Sequence, residues 1–220
     1  MRRYAGPFLG DHLRHRSRVA VDLEAPTLTK VEVASSNANT QGQTDQLAKA
    51  GDTITLTVES SEALKSLSVV GGDGSPTPLT AVGDTGREWT LSKPVESGEN
   101  GELSFTLNYE DLAGNDGSSN SDTTNNSRIT FDTTAPTLSS VTLASSNAAT
   151  NLAKSDDTLT LAFTSSEPIT SPTVTLVGDS ETLQLSSNSE KTEWSAVYRV
   201  KASEVEREVT YSISYQDAAG

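Results

Sequence analysis

Hydrophobic and polar residues alternate with a period of two along most of the chain. Ile54, Leu56 and Val58 alternate with threonine and glutamate, and the same pattern runs from Leu103 to Tyr109. Such alternation buries one face of a β-strand and leaves the other face in water, and no long segment keeps the 3.6-residue period of an amphipathic helix. The pattern therefore predicts an all-β chain.

Turn signals divide these runs into a regular series. Glycine-rich segments at residues 71–74 and 100–101 are typical of turns between strands. Six or seven short strands in a unit of about 110 residues indicate an immunoglobulin-like β-sandwich. The predicted strands of the first unit lie near residues 28–34, 52–59, 66–71, 77–82, 87–93, 102–109 and 127–132.

The sequence repeats itself, which predicts two modules in tandem. Ala25–Leu28 recurs as Ala135–Leu138, and Ala34–Ala38 recurs as Ala144–Ala148, both displaced by 110 residues. Insertions fall between the matched segments, as loops would allow. We expect one module over residues 22–131 and a second over residues 132–220. Later matches, displaced by 105 or 106, include Leu47–Lys49 with Leu152–Lys154, Ser60–Glu62 with Ser165–Glu167 and Tyr109–Gly114 with Tyr215–Gly220.

The two ends of the chain differ from this regular pattern. The first unit continues past Gly114 to a predicted strand at residues 127–132, and the second unit has no such continuation. We therefore expect the second sandwich to lack its last strand and the chain to be a piece of a longer array. Residues 1–21 are rich in arginine and have no uninterrupted apolar stretch, which predicts a disordered or artefactual tail rather than a signal peptide.

Composition excludes several functions. The formal net charge is −14, and this excess of carboxylates repels nucleic acid and anionic membrane surfaces. No apolar run approaches the about 20 residues that span a bilayer, so we expect no membrane insertion in this segment. The chain has no cysteine, which excludes disulfides and thiol catalysis.

Catalytic motifs find little support, and we expect no enzyme. The two histidines, His12 and His15, lie in the tail without further ligands nearby, and the glycines at residues 71–74 have no lysine of a phosphate loop. Trp89 and Trp194 occupy the same repeat position in alternating strands. They are interpreted as core anchors, with ligand-stacking platforms as the alternative.

Three segments resemble the bacterial immunoglobulin-like repeats of large surface adhesins. These segments are Phe131–Thr137 at the junction, Thr164–Glu167 after a strand and Tyr109–Asn115 after the penultimate strand, and the resemblance covers about residues 22–220. It implies sandwich modules that form an extended stalk outside the cell, with calcium at the module junctions. The first junction, Val21–Pro26, keeps the aspartate and the Ala-Pro pair but lacks the two threonines.

Carboxylates near the junction are candidate calcium ligands. Calcium takes six to eight oxygen ligands, and loops at one end of a sandwich can bring Glu62, Asp111 and Asn115 to Asp132 of the linker. The equivalent residues at other junctions are Asp22, Glu167 and Asp217. The alternative is that Asp111 and Asn115 only shape a turn and that Glu62 is solvated.

The sequence thus leaves two functional hypotheses. The first is a stalk segment of an extracellular adhesion or cell-surface protein, whose partners are neighbouring immunoglobulin-like repeats and an unknown surface or matrix ligand. The second is a carbohydrate-binding or spacer module of a secreted hydrolase, which predicts exposed aromatic side chains. Tyr4 and Phe8 lie in the tail, and most other aromatics occupy alternating positions expected to face the core.

Overall fold

The structure is a computed structural model that describes residues 19–72, 74–176, 183 and 185–220. All regular secondary structure in these ranges is β-strand, which confirms the all-β prediction. The first module contains β1 (Leu28–Ser35), β2 (Asp45–Ala48), β3 (Thr53–Ser60), β4 (Leu64–Val70), β5 (Pro76–Pro78), β6 (Thr80–Val82), β7 (Glu88–Pro94), β8 (Gly101–Glu102), β9 (Thr106–Asp111) and β10 (Arg128–Phe131). The second contains β11 (Leu138–Ser145), β12 (Thr158–Ser165), β13 (Thr170–Leu176), β14 (Leu185–Ser187), β15 (Glu193–Arg199) and β16 (Tyr211–Gln216).

The first module is a sandwich of two faces whose strands are mostly antiparallel. One face has the strand order β1-β3-β7-β6. The other combines the sheets β5-β4-β9 and β2-β10-β8, because β8 and β9 follow each other along the chain with three residues between them. β2 pairs with β10 in parallel, and the remaining pairs are antiparallel. This order is that of an immunoglobulin-like sandwich.

The core lies between these faces and follows from the alternation of residues along each strand. In β3 every second residue is buried, and Val58 is fully inaccessible. Leu67 and Leu107 approach it from the opposite face, and Ile129 of β10 closes the core with 1% of its surface exposed. Strands with this pattern gain their stability from one buried apolar face.

The second module repeats the sandwich on its own core. Its sheets have the orders β11-β12-β15-β14 and β13-β16, which match β1-β3-β7-β6 and β4-β9. Phe163 and Ile169 are buried, and the Phe163 and Trp194 rings stack at 6.5 Å between centroids. Within residues 138–176 and 185–220, it has no counterpart of the β2-β10-β8 sheet.

The tryptophan prediction is confirmed for Trp89 and holds in part for Trp194. Trp89 is buried in the first core, and Trp194 is half-buried against the second. Each indole nitrogen donates to the carbonyl of a residue three positions earlier, Gly86 or Lys191, and both of these residues have positive φ. The repeat thus preserves a tryptophan-closed turn as well as a core position.

Three features of the first module differ from the expected strands. The single strand expected over residues 77–82 is divided into β5, which pairs with β4, and β6, which pairs with β7 on the other face. β2 was absent from the expectation, because a four-residue strand is too short to show a period. The single strand expected over residues 102–109 is divided into β8 and β9, since Leu103 pairs its N–H with the carbonyl of Ile129 at the break. Tyr4, Phe8, His12 and His15 lie outside the described residues.

Among the described residues, no helix has the length and apolar character to cross a membrane.

Candidate functional site at the module junction

The linker between the modules is held by the first module. The Asp132 N–H donates to the carbonyl of Ala48 at 2.8 Å, and the Thr133 N–H donates to Asn100 Oδ1 at 3.0 Å. In return, the Gly98 N–H donates to Thr133 Oγ1 at 2.9 Å. These bonds come from a loop and a strand of the first module, so the linker leaves that module in a defined direction.

An acidic cluster lies where this linker meets the second module. Asp132 follows β10, Glu167 follows β12 and Asp217 follows β16, so the linker and two loops at one end of the sandwich supply the carboxylates. One oxygen from each residue lies within 4.8 Å of one from each of the others. Two ligands on opposite sides of a calcium ion are about 5 Å apart, so these oxygens are close enough to bind one ion together.

The surroundings of Glu167 disfavour its charged form. Its Oε1 is shielded from solvent and has no hydrogen-bond partner among the described residues. Burial raises the pKa of Glu167, and the charges of Asp132 and Asp217 raise it further. A buried carboxylate oxygen without a donor is costly, and a cation would remove that cost.

The same triad occurs at the other end of the first module. Asp22, Glu62 and Asp111 also bring one oxygen each within 4.8 Å of one another. Burial raises the pKa of Glu62, and the charges of Asp22 and Asp111 add to the effect. The repetition of one arrangement in two modules makes a chance grouping of surface acids a poor explanation.

Asp111 is the anchor of this second cluster. Its side chain is buried, and Oδ1 accepts the N–H groups of Ala113, Gly114 and Asn115 at 2.7 to 2.9 Å. Burial opposes its ionisation, but hydrogen bonds from the Asn115 side chain and from three backbone N–H groups outweigh burial and lower its pKa. Asp111 is therefore charged at neutral pH and holds its loop in shape.

Asn115 contacts the cluster as a donor. Its Nδ2 donates to Asp111 Oδ2 at 2.8 Å, to the Glu24 carbonyl at 3.2 Å and to the Asp22 carbonyl at 3.5 Å. The sequence predicted that Asn115 would be a calcium ligand. In the structure its amide nitrogen, which cannot bind a cation, faces the Asp111 carboxylate and the two carbonyls. Asn115 instead attaches the segment that precedes the first module to the loop that follows β9.

The grouping of the carboxylates also differs from the expectation. The sequence suggested that Glu62 and Asp111 would meet Asp132, but Asp132 lies with Glu167 and Asp217. The reason is topological: a linker residue precedes the first strand of the module it enters, so it reaches that module's loops. Glu62 and Asp111 point to the opposite end of their own module, where Asp22 plays the part that Asp132 plays at the junction.

A second contact between the modules consists of hydrogen bonds and was not expected. Asn37, which is 2% exposed, donates Nδ2 to the carbonyl of Ala219 at 2.9 Å and to Asp52 Oδ2 at 2.8 Å. The Lys49 ammonium also donates to the carbonyl of Gly220. Ala219 is 1% exposed as a result. We call Asn37, Lys49 and Asp52 the first socket, and Ala218–Gly220 the loop that occupies it.

A sequence signal for this socket was available in the repeat. Asn37 and Lys49 recur as Asn147 and Lys154, although neither position belongs to a core face. A polar residue that recurs without a role in the core indicates a contact or a turn. Because its partner is a backbone carbonyl, no residue type in the partner loop marks the bond.

Comparisons with known proteins identify no family for the chain. No family model and no curated protein sequence match the chain. Among solved structures it is similar to titin Ig tandem domains A164-A165, at 15% identity, over 86% of this chain and 94% of that one, with a TM-score of 0.32. It is also similar to the titin domains z1z2 in complex with telethonin, at 13% identity, over 89% and 96%, with a TM-score of 0.29. The fold assignment rests on the sheet order described above.

Proposed function

We propose that the chain is a structural segment of a surface or adhesion protein that acts outside the cell, and that calcium at its module junctions fixes the angle between modules. Asp132, Glu167 and Asp217 would hold one ion, and Asp22, Glu62 and Asp111 another. The observation that carries the proposal is the buried, unpartnered Oε1 of Glu167 between two further carboxylates.

The ligand set fits calcium better than a transition metal. All three groups are carboxylates, which suit hard cations, and the described clusters contain no imidazole or thiolate. A bound calcium ion supplies two positive charges that neutralise carboxylates from both sides of the joint. Extracellular modules with few ligands bind calcium with dissociation constants of about 10⁻⁴ to 10⁻³ M, which matches a compartment rich in calcium.

The mechanical role follows from which parts of the chain the cluster joins. Asp132 belongs to a linker that is bonded to the first module, whereas Glu167 and Asp217 belong to loops of the second. Pro136 restricts the backbone just beyond Asp132, since proline fixes φ and limits the residue before it. An ion shared by these carboxylates would remove the remaining freedom at the joint.

Thermal unfolding of the full chain in calcium and in chelator tests this proposal. Calcium at about 100 times its dissociation constant stabilises the native state by about 2.7 kcal/mol, which raises the Tm of a module of this size by on the order of 10 °C. Asp132→Ala should abolish the increase for the second module and keep it for the first. Asp22→Ala is the matched control and should have the opposite effect.

Each module carries one tryptophan, so the two transitions can be followed separately by fluorescence in Trp89→Phe and Trp194→Phe backgrounds. Equal Tm values in calcium and chelator for both modules would contradict the calcium proposal and leave a spacer whose joint depends on hydrogen bonds alone.

A further inference from the structure

The second module carries an unoccupied copy of the first socket at its far end. Asn147 Nδ2 donates to Asp157 Oδ2 at 2.9 Å, and the Lys154 N–H donates to the same oxygen at 2.8 Å. In the first socket the corresponding distances, from Asn37 and from the Lys49 N–H to Asp52 Oδ2, are both 2.8 Å. The two sockets therefore have the same internal frame.

The two sockets differ in their contact with a partner loop and in the chain around them, since the described part of the second module has no counterpart of β2. Asn37 is buried and Asn147 is half-buried, because Ala219 covers the former. The Lys49 ammonium reaches the Gly220 carbonyl, whereas the Lys154 ammonium turns back to Asp157 Oδ1 at 3.1 Å. The hydrogen bond from Asn147 and the interactions with Lys154 lower the pKa of Asp157 to about 2. Its carboxylate is therefore charged at neutral pH and keeps these hydrogen bonds.

The loop that would fill this second socket exists on the first module. Asp111–Gly114 corresponds to Asp217–Gly220, and in both loops the aspartate Oδ1 accepts the N–H of the final glycine, at 2.7 and 2.6 Å. Ala113, the counterpart of the buried Ala219, is exposed. The first module thus presents the Asp111–Gly114 loop at one end, and the second module presents a copy of the socket at the other.

The first module's loop shares the backbone conformation that the joint uses. Gly220 has a φ of 94°, which favours glycine, and Gly114 supplies a glycine with a φ of 98°. Leu112 replaces Ala218, which remains exposed in the joint and leaves room for a larger side chain. The exchange loses one weak bond, because Asn39 is replaced by Ala149.

We propose that Asn147, Lys154 and Asp157 form a docking site for the Asp111–Gly114 loop of a second copy of this chain, so that copies stack head to tail. The inference rests on the proposed structural role, in that it extends the observed joint to further modules, but it requires no calcium. Docking in this sense is heterologous, so the same contact can repeat from one copy to the next.

Paramagnetic broadening in mixtures of full-length chains tests the docking. The chain has no cysteine, so Leu112→Cys accepts a single nitroxide within the docking loop, on an exposed side chain whose counterpart Ala218 stays exposed in the joint. Mixed with ¹⁵N-labelled chain at about 1 mM, a concentration comparable with that of tethered modules, it should broaden amides at residues 146–154 by at least half. Chelator is present throughout, so failure of the calcium proposal would not affect the result.

Two controls assign the effect to the socket. A nitroxide at Val82→Cys, exposed on β6 and remote from the loop, should leave residues 146–154 no more broadened than the rest of the chain. Asn147→Ala in the labelled chain should restore their signals, because the group that donates to the loop is lost. Unbroadened signals at residues 146–154 in the Leu112→Cys mixture, or broadening that persists in Asn147→Ala, would overturn the docking proposal.

Discussion

Glu167 concentrates the electrostatic cost of the junction in one side chain. Its Oε1 is shielded from solvent and accepts no hydrogen bond from the part of the chain that the structure describes, and Asp132 and Asp217 add two like charges. A carboxyl group whose pKa is raised in the folded state destabilises the protein once pH exceeds its unfolded value of about 4.3. At neutral pH without a cation, this residue is therefore expected to lower stability.

The effect of Glu167→Gln on the Tm of the second module should change sign when calcium is added. In chelator at pH 7 the neutral amide removes a buried charge, and we expect the Tm of the second module to rise by a few degrees. In saturating calcium the same substitution removes a ligand, and we expect the Tm to fall below that of the parent chain. Fluorescence melting of Trp194 measures both.

Glu193→Gln provides the matched control, since Glu193 is an exposed glutamate of β15 and belongs to neither acidic cluster. It should shift the Tm little, and equally in calcium and chelator. A Glu167→Gln variant that is destabilised to the same extent in both conditions would show that the glutamate has only a packing role.

Individual site residues could be predicted from sequence only in part. Repetition identified Glu62, Asp111 and their counterparts, because carboxylates at equivalent loop positions recur in both modules. It could not decide which of them share a cluster, since that depends on which end of a sandwich each loop reaches. The orientation of the Asn115 amide could not be predicted either. It is set by the backbone carbonyls of Asp22 and Glu24, and a carbonyl is present in every residue type.

At the level of elements, alternation predicted the long strands and failed for the short ones. β3 and β12 have every second residue buried over eight positions, so their period is unmistakable. β2 and β8 have four and two residues, and their pairing with β10 decides that they are strands. Local sequence contains no trace of a partner that lies some 30 or 80 residues away.

The loops at the junction allow the same substitution to be compared in the two modules, by the free energy of unfolding that each loses. Both substitutions remove a bond to the aspartate and one from the backbone N–H two residues later, but Asn37→Ala also removes the bond to Ala219. The difference between the two losses therefore isolates the bond between modules. We expect Asn37→Ala to cost about 1 to 3 kcal/mol more, because a buried carbonyl is left without a donor.

Denaturant unfolding of each full-length variant, followed through Trp89 for the first module and Trp194 for the second, gives the two losses. Equal losses would mean that the Asn37–Ala219 bond contributes nothing to stability. The comparison is made in chelator, so that calcium does not mask the contribution of the socket.

At the scale of the whole molecule, the joint between the modules has three parts. The linker is bonded to the first module through Ala48 and Asn100, the acidic cluster lies between the linker and the second module, and the first socket encloses the Ala218–Gly220 loop. Hydrogen bonds alone leave a repulsive triad at the centre of the joint. The proposed calcium ion would convert this repulsion into a cross-link, and stiffness would then depend on the calcium concentration.

Whether calcium makes the joint rigid can be measured by ¹⁵N relaxation of the full chain in millimolar calcium and in chelator. In calcium, amides of the first and second sandwiches should report one common rotational diffusion tensor, as expected of two modules that tumble as a single body. In chelator the two sets should separate into faster, independent tumbling, and Asp132→Ala should behave this way in both conditions. Relaxation rates that are the same with and without calcium in the parent chain would contradict a calcium-dependent joint.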